Sequence, residues 1–261
     1  MGFFYFDESI HPRGKFALGS FVYSETSLDS TVSKALMESG LIPKVDEFKS
    51  EARMDRNPEQ ARVRELLKEI IHEQCGIGVV VAPNTPRELL GFEAPLGLTK
   101  ILSTIKFRSE THEVFFDKGI FENEVEGRLQ AAKVPSTCPP CTFHFEQDSV
   151  QVLGLQVADL VAYSCAMMLL AQLGLLKKMV KAGENSGYDP NQDMELEFEL
   201  WAGLRRSFFA APPPPVDSWK SQLDYQVDVA SRGLHIADSC DSNVRDAALI
   251  RFGRMYLGCI H

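Results

Sequence analysis

The sequence predicts an α/β protein in which a mixed sheet is covered by helices. Three observations carry this reading. Short β-rich runs recur along the chain between segments of helical periodicity. The first two runs, residues 3–7 and 16–23, are joined by SIHPRGK, whose Pro12 and Gly14 supply the turn of a hairpin. A long apolar segment, VLGLQVADLVAYSCAMMLLAQLGLLKK at 152–178, then reads as a central helix.

The remaining elements follow in chain order. SLDSTVSKALMESG (27–40) predicts a helix capped by Ser27 and stopped by Gly40. Residues 57–76 predict a second, with Asn57 as N-cap, Pro58 in the first turn and Gly76 just past the end. IGVVVA (77–82) has the continuous β-branched character of a buried strand, and 87–109 contains a helix that Pro95 is expected to break. HEVFFDKG (112–119) predicts a short strand, 122–133 a helix, and TFHFEQDS (142–149) a strand with Phe143 and Phe145 alternating. Beyond the long helix come a loop (183–193), a helix (194–209), a stiff proline run (212–215) and an amphipathic helix (243–258). The expected organisation is a core over 1–182 with an insertion at about 24–76, and a helical extension over 183–261 packed on it.

Bulk chemistry narrows the function. With 27 Lys and Arg against 36 Asp and Glu, the net charge of −9 gives no global attraction to nucleic acid, so such a partner would be held by local basic patches or through metal ions. Six scattered cysteines and an apolar start without a basic leader predict free thiols in a reducing cytoplasm. Gln156, Asp159 and Gln172 interrupt the long apolar segment, and Asp at the centre of a spanning helix costs about 2.5–3.5 kcal/mol, so no membrane association is expected.

Acids at strand ends are the recurring feature. Asp7 closes FYFD, Asp117 closes FFD, and Asp159 lies in the first half of the long helix among Leu155, Ala158, Ala162 and Tyr163. Three converging carboxylates repel unless they share protons or a cation, and such a cluster suits Mg²⁺ or Mn²⁺ in phosphodiester hydrolysis. Asp117 also has an ordinary turn behind it in Lys118-Gly119.

The element order, apart from the insertion, is that of the ribonuclease H-like fold. The residues also resemble the domain-of-unknown-function 3800 family, through Asp7-Glu8-Ser9, Glu47-Phe48-Lys49, Asp117, and Asp148-Ser149 followed by Gln156-Val157-Ala158-Asp159-Leu160. The resemblance spans about residues 3–170, with Ile10 standing where the family has Gly. It implies a ribonuclease H-like metal-dependent nuclease, often found in mobile or defence contexts. Asp7, Glu47, Asp117 and Asp159 would be its catalytic acids, Asp7, Asp117 and Asp159 its metal ligands, and Glu8, Lys49, Asp148 and Gln156 its supporting groups. A surface role for Glu47 in a charged run is the alternative reading of that acid.

Other signals are set aside. The CPPC of Cys138–Cys141 lies between a helix and a strand and lacks a second CxxC, so it reads as a proline-rich turn rather than a redox or zinc motif. The histidines show no pair at metal spacing; His11 follows the acidic motif and is a candidate to assist proton transfer, the alternative being a solvated turn histidine. Basic residues cluster only locally, at Arg53, Arg56, Arg62, Arg64 and Lys68 and at Lys177, Lys178 and Lys181. The expectation is a divalent-metal-dependent nuclease acting on DNA or RNA. The alternative is a non-catalytic binding module, or a defence or toxin component, working through a protein partner or as a homodimer.

Overall fold

A computed structural model of the chain describes residues 1–182, 188–212 and 225–258. The greater part of the predicted proline run and the start of the 183–193 loop lie outside the described residues, as do Cys259 and His261. Strands β1 (Gly2–His11), β2 (Phe16–Ser24), β3 (Gly76–Pro83), β4 (His112–Asp117), β5 (Cys141–Gln147) and a short late strand, β9 (Leu234–Ile236), form one sheet in the order β5-β4-β1-β2-β3-β9. The β1–β2 and β2–β3 pairs are antiparallel, whereas β1–β4, β4–β5 and β3–β9 are parallel. A mixed sheet with β2 reversed against its neighbours, flanked by helices, is the ribonuclease H-like α/β architecture expected from the element order.

The helices lie on both faces: α1 (Asp29–Glu38), α2 (Pro58–Gln74), α3 (Leu89–Thr104), α4 (Glu124–Ala131), α5 (Gly154–Gln172), α6 (Leu196–Leu204) and α7 (Ser242–Phe252). On one face, Phe6, Phe21, Phe116 and Phe145 pack together beneath α3 and α4. On the other, α5 crosses β1 and β2, and Gly154 lets its first turn settle on Tyr5, since a Cβ there would come within 2.3 Å of that ring. Helix α5 is long and apolar enough to cross a membrane, yet 78% of its apolar window is buried inside the protein. It is the central core helix.

Several elements differ from the sequence reading. Helix α3 runs through Pro95 unbroken. The lost hydrogen bond costs about 3 kcal/mol, but Leu90, Ala94, Leu98, Ile101 and Leu102 are buried along the same helix and offset it. Helix α7 ends at Phe252 and the chain turns into β10 (Arg254–Tyr256), which pairs with β8 (Gln226–Asp228). The expected 194–209 helix starts later, after the hairpin of β6 (Met179–Lys181) and β7 (Asp193–Glu195). The C-terminal segment thus contributes strands as well as helices, and β9 extends the main sheet by pairing with Val79–Val81.

Candidate functional site

Strand β1 does not end at Asp7. It continues to His11, and Asp7 pairs with Ser20 on β2. What ends there is the partnership with β4, whose last rung is Phe6 with Phe116, so Asp7 and Asp117 are the next residues on two parallel strands about 4.8 Å apart. Tyr5 and Phe115, one residue before that rung, stack at 5.5 Å on the face that α5 covers. Alternation therefore points Asp7 and Asp117 to the α5 face as well. Across it, Ser20 Oγ donates to the carbonyl of Ala158 at 3.0 Å, which fixes the adjacent Asp159 above the Asp7–Ser20 pair. The three acids are thereby brought to one edge of the parallel pair by three different elements.

The insertion between β2 and β3 brings the fourth acid. Gln156, fully buried one turn before Asp159, accepts from Phe48 N–H at 2.9 Å and donates to Ser149 C=O at 2.8 Å. Ser50 N–H donates to Asp159 Oδ2 at 2.9 Å and Ser50 Oγ to Oδ1 at 2.5 Å. Ser149 Oγ donates to Glu47 Oε1, and Gln60 on α2 donates to Glu47 C=O at 2.8 Å. With Phe48 wholly buried, the segment 47–50 is laid along α5 and Glu47 reaches the acid cluster. Lys49 pairs with Glu47 at 2.7 Å.

Electrostatics follow from this crowding. Burial, then the charges of Asp117 and Asp159, push the Asp7 carboxyl well above the ordinary carboxylate range. Burial also pushes Asp117 up to about 6, with Glu47 and Asp159 adding to the rise and Lys49 opposing it. Burial raises Asp159 as well, against the two Ser50 hydrogen bonds and Lys49. Burial works against the Lys49 ammonium, but Glu47, Asp159 and Asp117 hold its pKa above the ordinary value.

Other expected site residues lie elsewhere. Glu8 points to the opposite face, where Arg87 donates to it at 2.6 Å. Asp148 receives Lys118 at 2.7 Å and caps Val150 N–H at 3.0 Å, which makes it a turn residue that orders the approach to α5. His11 bonds Ser9 at 2.9 Å two residues further along the strand on the same face, and burial lowers its pKa. Cys141 of the CPPC turn is pushed up to about 12 by burial, so it is no primed thiolate. Within the basic clusters Arg53 pairs with Asp55, Lys68 with Glu65 and Glu199, and Lys181 with Asp193, while Arg64 lies over the Tyr163 ring. Ser50 is the contributor that sequence reasoning did not single out; its only signal is its place directly after Glu47-Phe48-Lys49.

The donors are all hard carboxylate oxygens, the set that suits Mg²⁺ or Mn²⁺, and their pKa values are raised by burial first and by one another's charge second, with Lys49 opposing the rise at Asp117 and Asp159. Their chemistry fits a divalent ion. Among the described residues, no three His, Cys, Asp or Glu side chains already form a group close enough to hold one. Ser50 engages both oxygens of Asp159 and Lys49 engages Glu47, so two of the four acids are already partnered within the chain.

Among solved structures, a ribonuclease H2 from Pyrococcus horikoshii OT3 is similar at 14% identity and a TM-score of 0.37, over 62% of this chain and 71% of that one. No family model and no curated protein matches the chain.

Proposed function

We propose that the protein is a divalent-metal-dependent nuclease of the domain-of-unknown-function 3800 kind, hydrolysing phosphodiester bonds of DNA or RNA. One observation carries this reading: Asp7, Asp117 and Asp159 lie on one face at the open edge of a parallel strand pair, each with its pKa raised, first by burial and then by neighbouring carboxylates. Asp7, Asp117 and Asp159 would hold the ion, with Glu47 beside them. When bound, Mg²⁺ or Mn²⁺ supplies charge to the phosphate and acidifies water. The chain's part is to hold four carboxylates without collapse, which β1, β4, α5 and the Gln156 clamp accomplish. A net charge of −9 makes an ion-mediated hold on phosphate more suitable than a basic surface.

Calorimetric titration of Mn²⁺ and a cleavage assay on single- and double-stranded DNA and RNA test this together. Binding near one site per chain, with cleavage lost in Asp7→Ala, is the expected result. Absence of both binding and cleavage would remove the reading.

A second reading, a non-catalytic module that works through a protein partner, is favoured by the Lys49–Glu47 ion pair inside the cluster. Mn²⁺ binding without cleavage of any substrate would select it.

A further inference from the structure

Lys49 issues from a pinned backbone. Its own N–H donates to Gln60 Oε1 at 3.0 Å, and the N–H groups on either side of it donate to Gln156 and Asp159. Phe48 is fully buried, so the segment has no freedom to slide. From this anchor the ammonium reaches Glu47 Oε1 at 2.7 Å, and its charge also acts on Asp159 and Asp117. The Lys49 side chain nevertheless stays 53% exposed. It is held at its base, ion-paired at its tip and still open to solvent.

We propose that Lys49 is a built-in counter-cation of the carboxylate cluster, which a divalent ion must displace to assemble its site. This rests on the proposed reading of the cluster as an ion site. An ammonium carries one charge and three donors, and it neutralises part of the cluster without gathering the carboxylates into one shell. A divalent ion demands several oxygens at once and overcomes their repulsion. Both cations draw on the same negative charge, so each weakens the other. Lys49 thereby sets a threshold of ion concentration below which the site stays apart. Once displaced, its exposed tip can meet a phosphate oxygen as a point charge.

The test is Mn²⁺ titration calorimetry on the full chain, comparing wild type with Lys49→Met, Lys49→Arg and a remote charge control, Lys34→Met, whose residue pairs with Glu38 on α1. Lys49→Gln replaces Lys49→Met if the latter aggregates. Lys49→Met is expected to bind Mn²⁺ about tenfold more tightly, with Lys49→Arg and Lys34→Met each within about twofold of wild type. Unchanged or weaker binding by Lys49→Met, with wild-type binding intact, overturns the proposal and leaves the ion site standing. Equal tightening by Lys34→Met overturns it too, because the effect is then one of net charge. Failure of wild type and Lys49→Met alike to bind Mn²⁺ overturns the ion-site reading itself.

Discussion

Ser50 holds both oxygens of Asp159, its N–H at 2.9 Å from Oδ2 and its Oγ at 2.5 Å from Oδ1. An acid on the central helix is thus tied to a loop that lies 109 residues away in sequence. A hydrogen bond to a charged group contributes about 1.5–3 kcal/mol. Ser50→Ala removes the hydroxyl bond and keeps the backbone one, so it should destabilise the metal-free protein by about 1–2 kcal/mol in urea unfolding. A more stable variant would show that the hydroxyl contributes nothing there.

Stability of the metal-free protein should fall as pH rises through 6. Asp117 has a folded-state pKa of about 6 against 3.8 for the ordinary side chain, so the folded state binds the proton more tightly. A raised pKa gives a contribution fully present below 3.8 and lost as pH climbs through about 6. Asp7, raised in the same direction, extends the loss upward. Asp117→Asn keeps the shape and removes the charge. At pH 8 in chelator it should melt a few degrees above wild type, equivalent to about 1–2 kcal/mol after allowance for partial exposure, and the gap should close by pH 4. A gap that persists at pH 4 would assign the effect to packing.

Asp7→Asn should separate folding from ion binding more sharply than Asp7→Ala. The amide oxygen can still accept from Glu8 N–H, which lies 2.6 Å from Oδ1 in the wild-type protein. Removing a carboxylate that burial, and then its charged neighbours, push toward protonation should raise the metal-free melting temperature at pH 8. Wild type in Mn²⁺ at a hundred times its Kd should gain about 2.7 kcal/mol by mass action, and the variant should lose most of that gain. Equal Mn²⁺-induced melting shifts in the two proteins would exclude Asp7 from the ion site.

Much of this fold was legible because its core elements carry strong local signals. The Pro12 and Gly14 turn joins β1 to β2, the β-branched run of β3 is unambiguous, and the apolar length of α5 marks the central helix. Strand β9 was not legible, since three residues without alternation owe their conformation to pairing with Val79–Val81. Pro95 misled for the same reason in reverse: tertiary burial overrode a local breaker. At the site, Asp7, Asp117 and Asp159 stood out as acids at or within apolar elements. The end of β1 was misjudged because Glu8 and Ser9 look like turn residues, whereas pairing with Gly19 and Leu18 carries the strand on. Ser50 gave no sign, because its partner is set by how the insertion docks on α5.

Gln156 should be the most sensitive single position outside the acids. It is fully buried, and its amide satisfies Phe48 N–H on one side and Ser149 C=O on the other. Gln156→Leu keeps the volume and strands both backbone groups away from water, each at about 1–3 kcal/mol. The expected loss is about 2–4 kcal/mol in urea unfolding, with partial relaxation of the loop limiting the sum. The damage should also be local. Amide exchange at Phe48 and Ser50 should accelerate well before that of β1 and β2, because the clamp joins the insertion to α5 without touching the sheet ladder. Mn²⁺ affinity should fall in parallel, since Glu47 and Ser50 lose their fixed place beside Asp159. Uniform acceleration of exchange across sheet and insertion would show instead that Gln156 supports the whole core rather than the docking of one loop.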